Sequence, residues 1–324
     1  MKKKLFLTFI ILNILSFPAF SDEIDDTFDF NNSEISGFTS VATTDDSRAV
    51  FINPGAIGIK NGIEGFLSTS IMSSFSQNIK PTDIPKSDQM GFSQFNAAAM
   101  YGSFNGAFQQ FNTRNNNLDS LRKFFAGIAY PITEGISAGV SWVNVESIPF
   151  EAQTPVAKTD ATTAITDNSY KSGQSMNIGI LTRPMELLSL GVVAKNVNTP
   201  VINKTKIRRS YLVSIALRPP IQNFSDRMTL VSDAEWVEGS DIKRTKIKFG
   251  LNTEIVNGVV INGFAISDFS FKNFSFGFQA GINFPYLSFG YANNFSNIVK
   301  DSAYLRFTTS KERNLLENGD ENNQ

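Results

Sequence analysis

From about residue 63 onward, large apolar side chains alternate with small or polar ones, the period-two pattern of strands whose two faces meet different surroundings. Phe274, Phe276, Phe278, Ala280 and Ile282 share one face, with Ser275, Gly277, Gln279 and Gly281 on the other. Ile136, Ala138, Val140 and Trp142 alternate in the same way with Ser137, Gly139 and Ser141. So do Met176, Ile178 and Ile180 with Ser175, Asn177 and Gly179, and Ile247, Phe249 and Leu251 with Lys246, Lys248 and Gly250. The pattern predicts about fourteen strands, at 63–77, 91–101, 104–111, 122–131, 135–146, 172–182, 186–197, 209–218, 228–236, 244–256, 259–267, 273–284, 286–294 and 302–310.

Alternation alone also fits a soluble barrel or sandwich that keeps its apolar face inside. The chemistry of the two faces separates these cases. One face is dominated by Phe and aliphatic residues, while the other holds mainly Gly, Ser, Ala and Asn and few of the Lys and Glu that a solvated exterior carries. The expected fold class is therefore all-β: an antiparallel transmembrane β-barrel of about fourteen strands with lipid outside and a confined lumen inside. A soluble two-sheet lipid carrier is the alternative. An even strand number and strands of about ten residues suit a single-chain bacterial outer-membrane barrel.

The connections follow the same logic. Gly102-Ser103, Ile132-Thr133-Glu134, Arg183-Pro184-Met185, Asn257-Gly258 and Pro285 supply short turns, and the alternate links 78–90, 112–121, 147–171, 198–208 and 295–301 are longer. Short periplasmic turns and long external loops alternate in such barrels, which puts both termini on the periplasmic side. The Pro-rich link 219–227 is long for a periplasmic turn, and 237–243 and 268–272 are modest outer loops.

Composition narrows the chemistry. The 324 residues include 30 Phe but no Cys and no His. Disulfides, thiolate nucleophiles, Cys-based metal sites, Ser-His pairs and H-E-x-x-H zinc sites are thereby excluded. Residues 1–21 read as a cleavable signal peptide: basic Lys2, Lys3 and Lys4, the apolar stretch Leu5 to Phe17, then Ala19-Phe20-Ser21. Its removal takes three basic side chains from 29 and leaves all 30 acids, a formal charge of about −4 that disfavours a nucleic-acid partner. Residues 22–62 form an N-terminal segment, 63–310 the barrel, and 311–324 a polar tail expected to be disordered. Within the N-terminal segment, Asp45-Asp46-Ser47 offers an N-cap, Arg48 to Ile52 a short helix and Asn53-Pro54-Gly55 its end.

The run A-T-T-D-D-S-R-A-V-F-I-N-P-G-A-I-G resembles the N-terminal motif of the FadL-like outer-membrane barrels, which include long-chain fatty acid transporters and the PorV-like proteins of a bacterial secretion system. Late stretches such as I-K-F-G-L-N-T-E and L-S-F-G-Y-A-N-N-F look like the family's final hairpins. The resemblance implies that the N-terminal segment folds back into the barrel as a hatch, with Asp45, Asp46, Ala49, Phe51, Asn53 and Pro54 as hatch residues. It also implies an outer-membrane channel for hydrophobic small molecules such as long-chain fatty acids, moving passively through a hatch-gated lumen. The alternative within the family is a PorV-like interaction protein serving secretion or envelope assembly. The implied partners are a hydrophobic small molecule or lipid, outer-membrane lipids, and envelope or secretion proteins. Two departures stand out: Asn-Pro-Gly-Ala where members often have Asn-Pro-Ala-Gly, and a last strand whose Phe307 is followed by a long tail to Gln324.

The remaining constellations read mostly as structure. Asp233 and Glu235 share one strand face, as do Lys246 and Lys248 on the next strand. A catalytic carboxylate pair is the sharper reading, but a salt-bridged network lining the lumen, extended by Lys195, Glu254 and Arg306, is expected instead. S-x-x-K occurs at Ser120 to Lys123 and Ser240 to Lys243, both at predicted loops, where chance explains it. Asp25-Asp26 and Asp45-Asp46 lack the spaced ligands of a calcium loop. No catalytic residue, metal site or cofactor is predicted, and no P-loop or G-x-G-x-x-G is present. Gly277 and Gly281 read as small lumen-facing positions near a packed hatch. Gly106, in the short 104–111 strand, is the candidate for a kink that opens the wall sideways; a plain glycine-weakened strand is the alternative.

Overall fold

The computed structural model describes residues 39–71, 92–111, 120–133, 135–148, 171–202, 205–219, 228–256, 258–271, 274–294, 301–309 and 311–312. The predicted signal peptide (1–21), residues 22–38 and most of the long links lie outside these.

Each strand satisfies its backbone through two antiparallel neighbours, and the ring closes, leaving no edge. In chain order the barrel strands are β1 (Ile63–Ile71), β2 (Phe92–Tyr101), β3 (Phe104–Phe111), β4 (Ser120–Thr133), β5 (Ile136–Ile148), β6 (Lys171–Met185) and β7 (Leu188–Lys195). They continue as β8 (Ser210–Leu217), β9 (Met228–Val237), β10 (Lys246–Val256), β11 (Val259–Asp268), β12 (Phe274–Asn283), β13 (Leu287–Asn294) and β14 (Asp301–Thr308). Neighbours in sequence are neighbours in the wall, and β14 closes on β1 with Leu305 opposite Leu67. Closure is what allows such a sheet to stand in hydrocarbon, where an unpaired amide costs several kcal/mol.

The alternation read from the sequence maps onto the two faces. Phe276, Phe278 and Ile282 project outward while Gly277, Gln279 and Gly281 are buried. Ile136, Val140 and Trp142 face out, and Ser137 and Ser141 are buried inside. At the end bearing the short turns, Tyr101, Phe104, Tyr130, Phe284 and Tyr286 stand more than half exposed on the outer surface. At the loop end lie Phe269, Phe271 and the stacked rings of Tyr211 and Trp236, 5.4 Å apart. Aromatic girdles above and below an apolar belt are the surface of a transmembrane barrel. Placing a charge in that belt is expected to be costly: Phe278→Lys should destabilise the folded barrel by about 2–4 kcal/mol in a urea titration in lipid vesicles.

The strand ends differ from the predicted ones in physically sensible ways. β4 and β6 outrun their predicted bounds, because β4 to β6 pair almost to the turn tips. In the predicted loop 198–208, Val201–Ile202 pairs with Thr205–Lys206. In the tail expected to be disordered, Lys311–Glu312 pairs with Lys60–Asn61; residues 313–324 lie outside the described set. The predicted strand 63–77 is described only to Ile71, and the Pro-rich link only to residue 219.

Inside the barrel, residues 39–59 form a plug. It contains one helical turn, α1 (Ala49–Ile52), followed directly by a 3-10 helix over Pro54–Ile59. The expected N-cap is corrected: Arg48 occupies that position and no side chain caps the helix. The Asp46 carboxylate accepts from Arg48 N one residue earlier, at 2.9 Å, and is otherwise engaged in ion pairs. Asn53-Pro54-Gly55 also does more than end the helix, since it starts the 3-10 turn, with Asn53 as its cap and proline at its first position.

Candidate functional site

The plug lies directly on the inner wall because that wall is made flat by glycine. Gly139 and Gly179 are cross-strand neighbours on β5 and β6, and Gly191 lies on the adjacent β7. A Cβ on Gly139 would collide with the Pro54 carbonyl, one on Gly179 with Asn53 and Pro54, and one on Gly191 would sit 2.5 Å from the Val41 carbonyl oxygen. The contact is reciprocal at Gly55, whose Cβ would lie 2.6 Å from the Gly179 carbonyl oxygen. Glycine at this place in Asn-Pro-Gly-Ala is therefore demanded by backbone-to-backbone packing. Asn53 locks the arrangement: its Nδ2 donates to the carbonyls of Val41 (2.8 Å) and Ile180 (3.2 Å), and its Oδ1 accepts from Gly55 N (3.0 Å).

Above this contact runs an apolar seam. Val50, Phe51 and Ile57 of the plug join Phe66, Met100, Phe125, Val143, Val145, Val193 and Leu212 of the wall in one buried cluster that also takes in Ile207. Phe51 meets Phe125 edge to face with ring centroids 4.9 Å apart. Strand directions place Val143, Val145, Val193 and Leu212 toward the loop end, so apolar side chains extend from the plug up the inside of β5, β7 and β8, with polar Ser175 and Asn177 buried on β6.

Toward the turn end the plug is held by charge. Asp45 pairs with Arg183 of β6 at 2.7 Å and with Lys60 at 3.0 Å. Asp46 pairs with Arg48 at 2.6 Å and with Arg306 of β14 at 3.1 Å. Glu64 of β1, almost fully buried, accepts from Ser47 N at 2.9 Å and Thr308 Oγ1 at 3.0 Å, and Arg48 lies over the Phe66 ring. Burial pushes the Asp45 carboxyl up, but Lys60 and Arg183 outweigh it and hold the group well below the usual carboxylate range. Burial acts likewise on Asp46 and is overcome by Arg48, then Arg306 and Lys60.

These depressed values link docking to pH. Their contribution is complete above the unfolded value near 3.8 and is lost as pH falls through the lower folded values. Protection of plug amides 41–59, taken relative to the intrinsic exchange rate at each pH, is therefore expected to hold from neutral pH down to about 5 and to fall only well below 4.

The structure brings four residues of the expected lumen network together, Asp233 and Glu235 on β9 opposite Lys248 and Lys246 on β10, and places Lys195, Glu254 and Arg306 elsewhere. Arg306 belongs to the turn-end cluster. Asp233 and Lys248 are cross-strand neighbours, as are Glu235 and Lys246. Asp233 accepts from Ser214 and, at 2.7 Å, from Ser40 of the plug, and Lys248 Nζ donates to the Thr39 carbonyl. Glu254 accepts from Gly258 N at a turn, and Lys195 is buried at the loop end beside Ser210. Ala49 and Phe51 are buried in the plug core. Gly277 and Gly281 face the Phe264 ring and the Tyr304 hydroxyl, so they make room for aromatic side chains rather than for the plug. At Gly106, β3 is paired with β2 and β4 without a register break.

The sequence reading missed the paired wall glycines and the plug's cationic partners. It also missed a cavity of about 170 Å³ at the turn end, between plug residues Ala42–Asp45 and the inner wall of β6 to β10.

The CymD monoaromatic hydrocarbon channel superposes with a TM-score of 0.53 over 85% of this chain and 94% of its own, at 11% identity. A deltaS2 mutant of the TodX monoaromatic hydrocarbon channel gives 0.54 over 86% and 97%, at 10% identity. The chain has the FadL-like barrel fold. The Pseudomonas putida toluene transporter TodX shares it, with a TM-score of 0.50 over 84% of this chain and 93% of its own at 9% identity. No protein-family profile matches the sequence, and no curated protein does. At such identities the FadL-like likeness is one of fold.

Proposed function

We propose that this protein is an outer-membrane channel through which hydrophobic small molecules, among them long-chain fatty acids, move passively past a hatch formed by residues 39–59. The observation that carries the reading is the apolar seam inside the barrel, from Phe51 through Phe125 and Val143 to Val193 and Leu212. A porin lumen is polar and water-filled, whereas here an apolar seam reaches the plug along one side of the inner wall. The fold shared with hydrocarbon channels supports the same reading. Protein in proteoliposomes is expected to speed entry of a long-chain fatty acid or toluene over protein-free vesicles; equal rates for both probes would remove the channel.

The second reading, an interaction protein for secretion or envelope assembly, is favoured by how tightly the plug is packed, with Ala49, Val50, Ala56 and Ile57 at 0% exposure. Recovery of a stable envelope complex together with absent flux would select it.

A further inference from the structure

We propose that the turn-end cavity is a binding site for a small apolar carboxylate, a molecule the size of one aromatic ring bearing one anionic group. The proposal rests on the channel reading only for why such a molecule would travel there. A void of about 150 Å³ is large enough for benzene, so the roughly 170 Å³ here holds one ring and little more. A long acyl chain does not fit it.

The lining is two-sided. Ala42, Leu187, Leu188 and Ala216 give an apolar surface for a ring. Arg183, Arg218, Thr229 and Asn252 give hydrogen-bond donors, while the Ser189 hydroxyl donates to the Ala42 carbonyl at 2.7 Å. The acids present are differently placed. Asp45 is occupied by Arg183 and Lys60, whereas Glu186 is exposed on the β6–β7 turn. Arg218 is the decisive residue. Its backbone N–H is bonded to the Leu187 carbonyl at 2.9 Å, which fixes its backbone at the cavity mouth; like Glu186 it is exposed, and its guanidinium is in no ion pair among the described residues. A guanidinium beside an apolar wall matches a carboxylate on a ring, by a charge-assisted and bidentate contact. The site lies beneath the plug, separate from the apolar seam above it.

The test uses the full-length protein in detergent with benzoate and toluene as probes, toluene being the neutral molecule of matching size. Benzoate is expected to bind, Arg218→Gln to weaken it by about tenfold or more, and toluene binding to be unchanged by that substitution. Arg218→Lys, which keeps the charge but not the bidentate fork, should weaken benzoate less than Arg218→Gln does. Ala216→Phe, which fills the cavity, should remove binding of both probes at this site. Heat-modifiable gel mobility confirms that each variant is a folded barrel. Benzoate affinity indifferent to both Arg218→Gln and Ala216→Phe overturns the proposal. Failure of the channel reading is distinguishable: benzoate binding that responds to Arg218→Gln, with no flux of any probe, keeps this site and removes the channel.

Discussion

Replacing Gly179 with valine is expected to unseat the plug while leaving the barrel closed. The new side chain would enter the space held by Asn53 and Pro54, and neither can yield. Asn53 is bound to two carbonyls and to its own turn, and Pro54 has a fixed backbone torsion. Overpacking of a rigid site costs about 1–3 kcal/mol, and a contact against locked backbone belongs at the upper end. The measurable result is entry of a hydrophilic solute into proteoliposomes that the parent protein keeps out. Gly65→Val is the control, since a Cβ there meets no atom within 4 Å. Equal solute entry for parent and Gly179→Val would show that the plug does not depend on this contact.

The second large effect is expected from Asp46→Ala. Asp46 is 2% exposed and joins Arg48 to Arg306, tying the plug to β14. Removing one member of a buried pair leaves uncompensated charge and costs about 3–5 kcal/mol. Because α1 is only four residues long, the loss falls on plug docking rather than on helix stability. Amides 41–59 should exchange much faster at neutral pH while those of β4 to β6 remain protected. Unchanged exchange in the plug would show that its docking does not depend on the Asp46 ion pairs.

The barrel was legible in the sequence because its signal is local. Every two residues the environment switches between lipid and lumen, and Phe276, Phe278, Val140 and Trp142 record that switch directly. Turn residues such as Gly102 and Gly258, both at positive φ, marked the strand ends in the same way. The site was less legible because its contacts are distant in sequence. Asp45 meets Arg183 across 138 positions and Asp46 meets Arg306 across 260, and no spacing rule connects such pairs. The glycine wall carried a signal that appears only in register. Gly139 and Gly179 are far apart along the chain yet directly opposed once β5 and β6 are aligned. Gly277 and Gly281 offered a more visible spacing, but their neighbours Phe264 and Tyr304 fill the space they leave.

The central claim is that molecules pass through the lumen only when the plug moves, and a reversible lock tests it. The chain is free of cysteine, and the hydroxyls of Ser40 in the plug and Ser214 on β8 lie 2.9 Å apart, so the double substitution Ser40→Cys and Ser214→Cys can join plug to wall. Toluene entry into proteoliposomes is the measurement. The expected result is entry at the parent rate when this pair is reduced and at the rate of empty vesicles when it is oxidised, with recovery on re-reduction. Entry at the same protein-dependent rate in both redox states would contradict a hatch-gated channel.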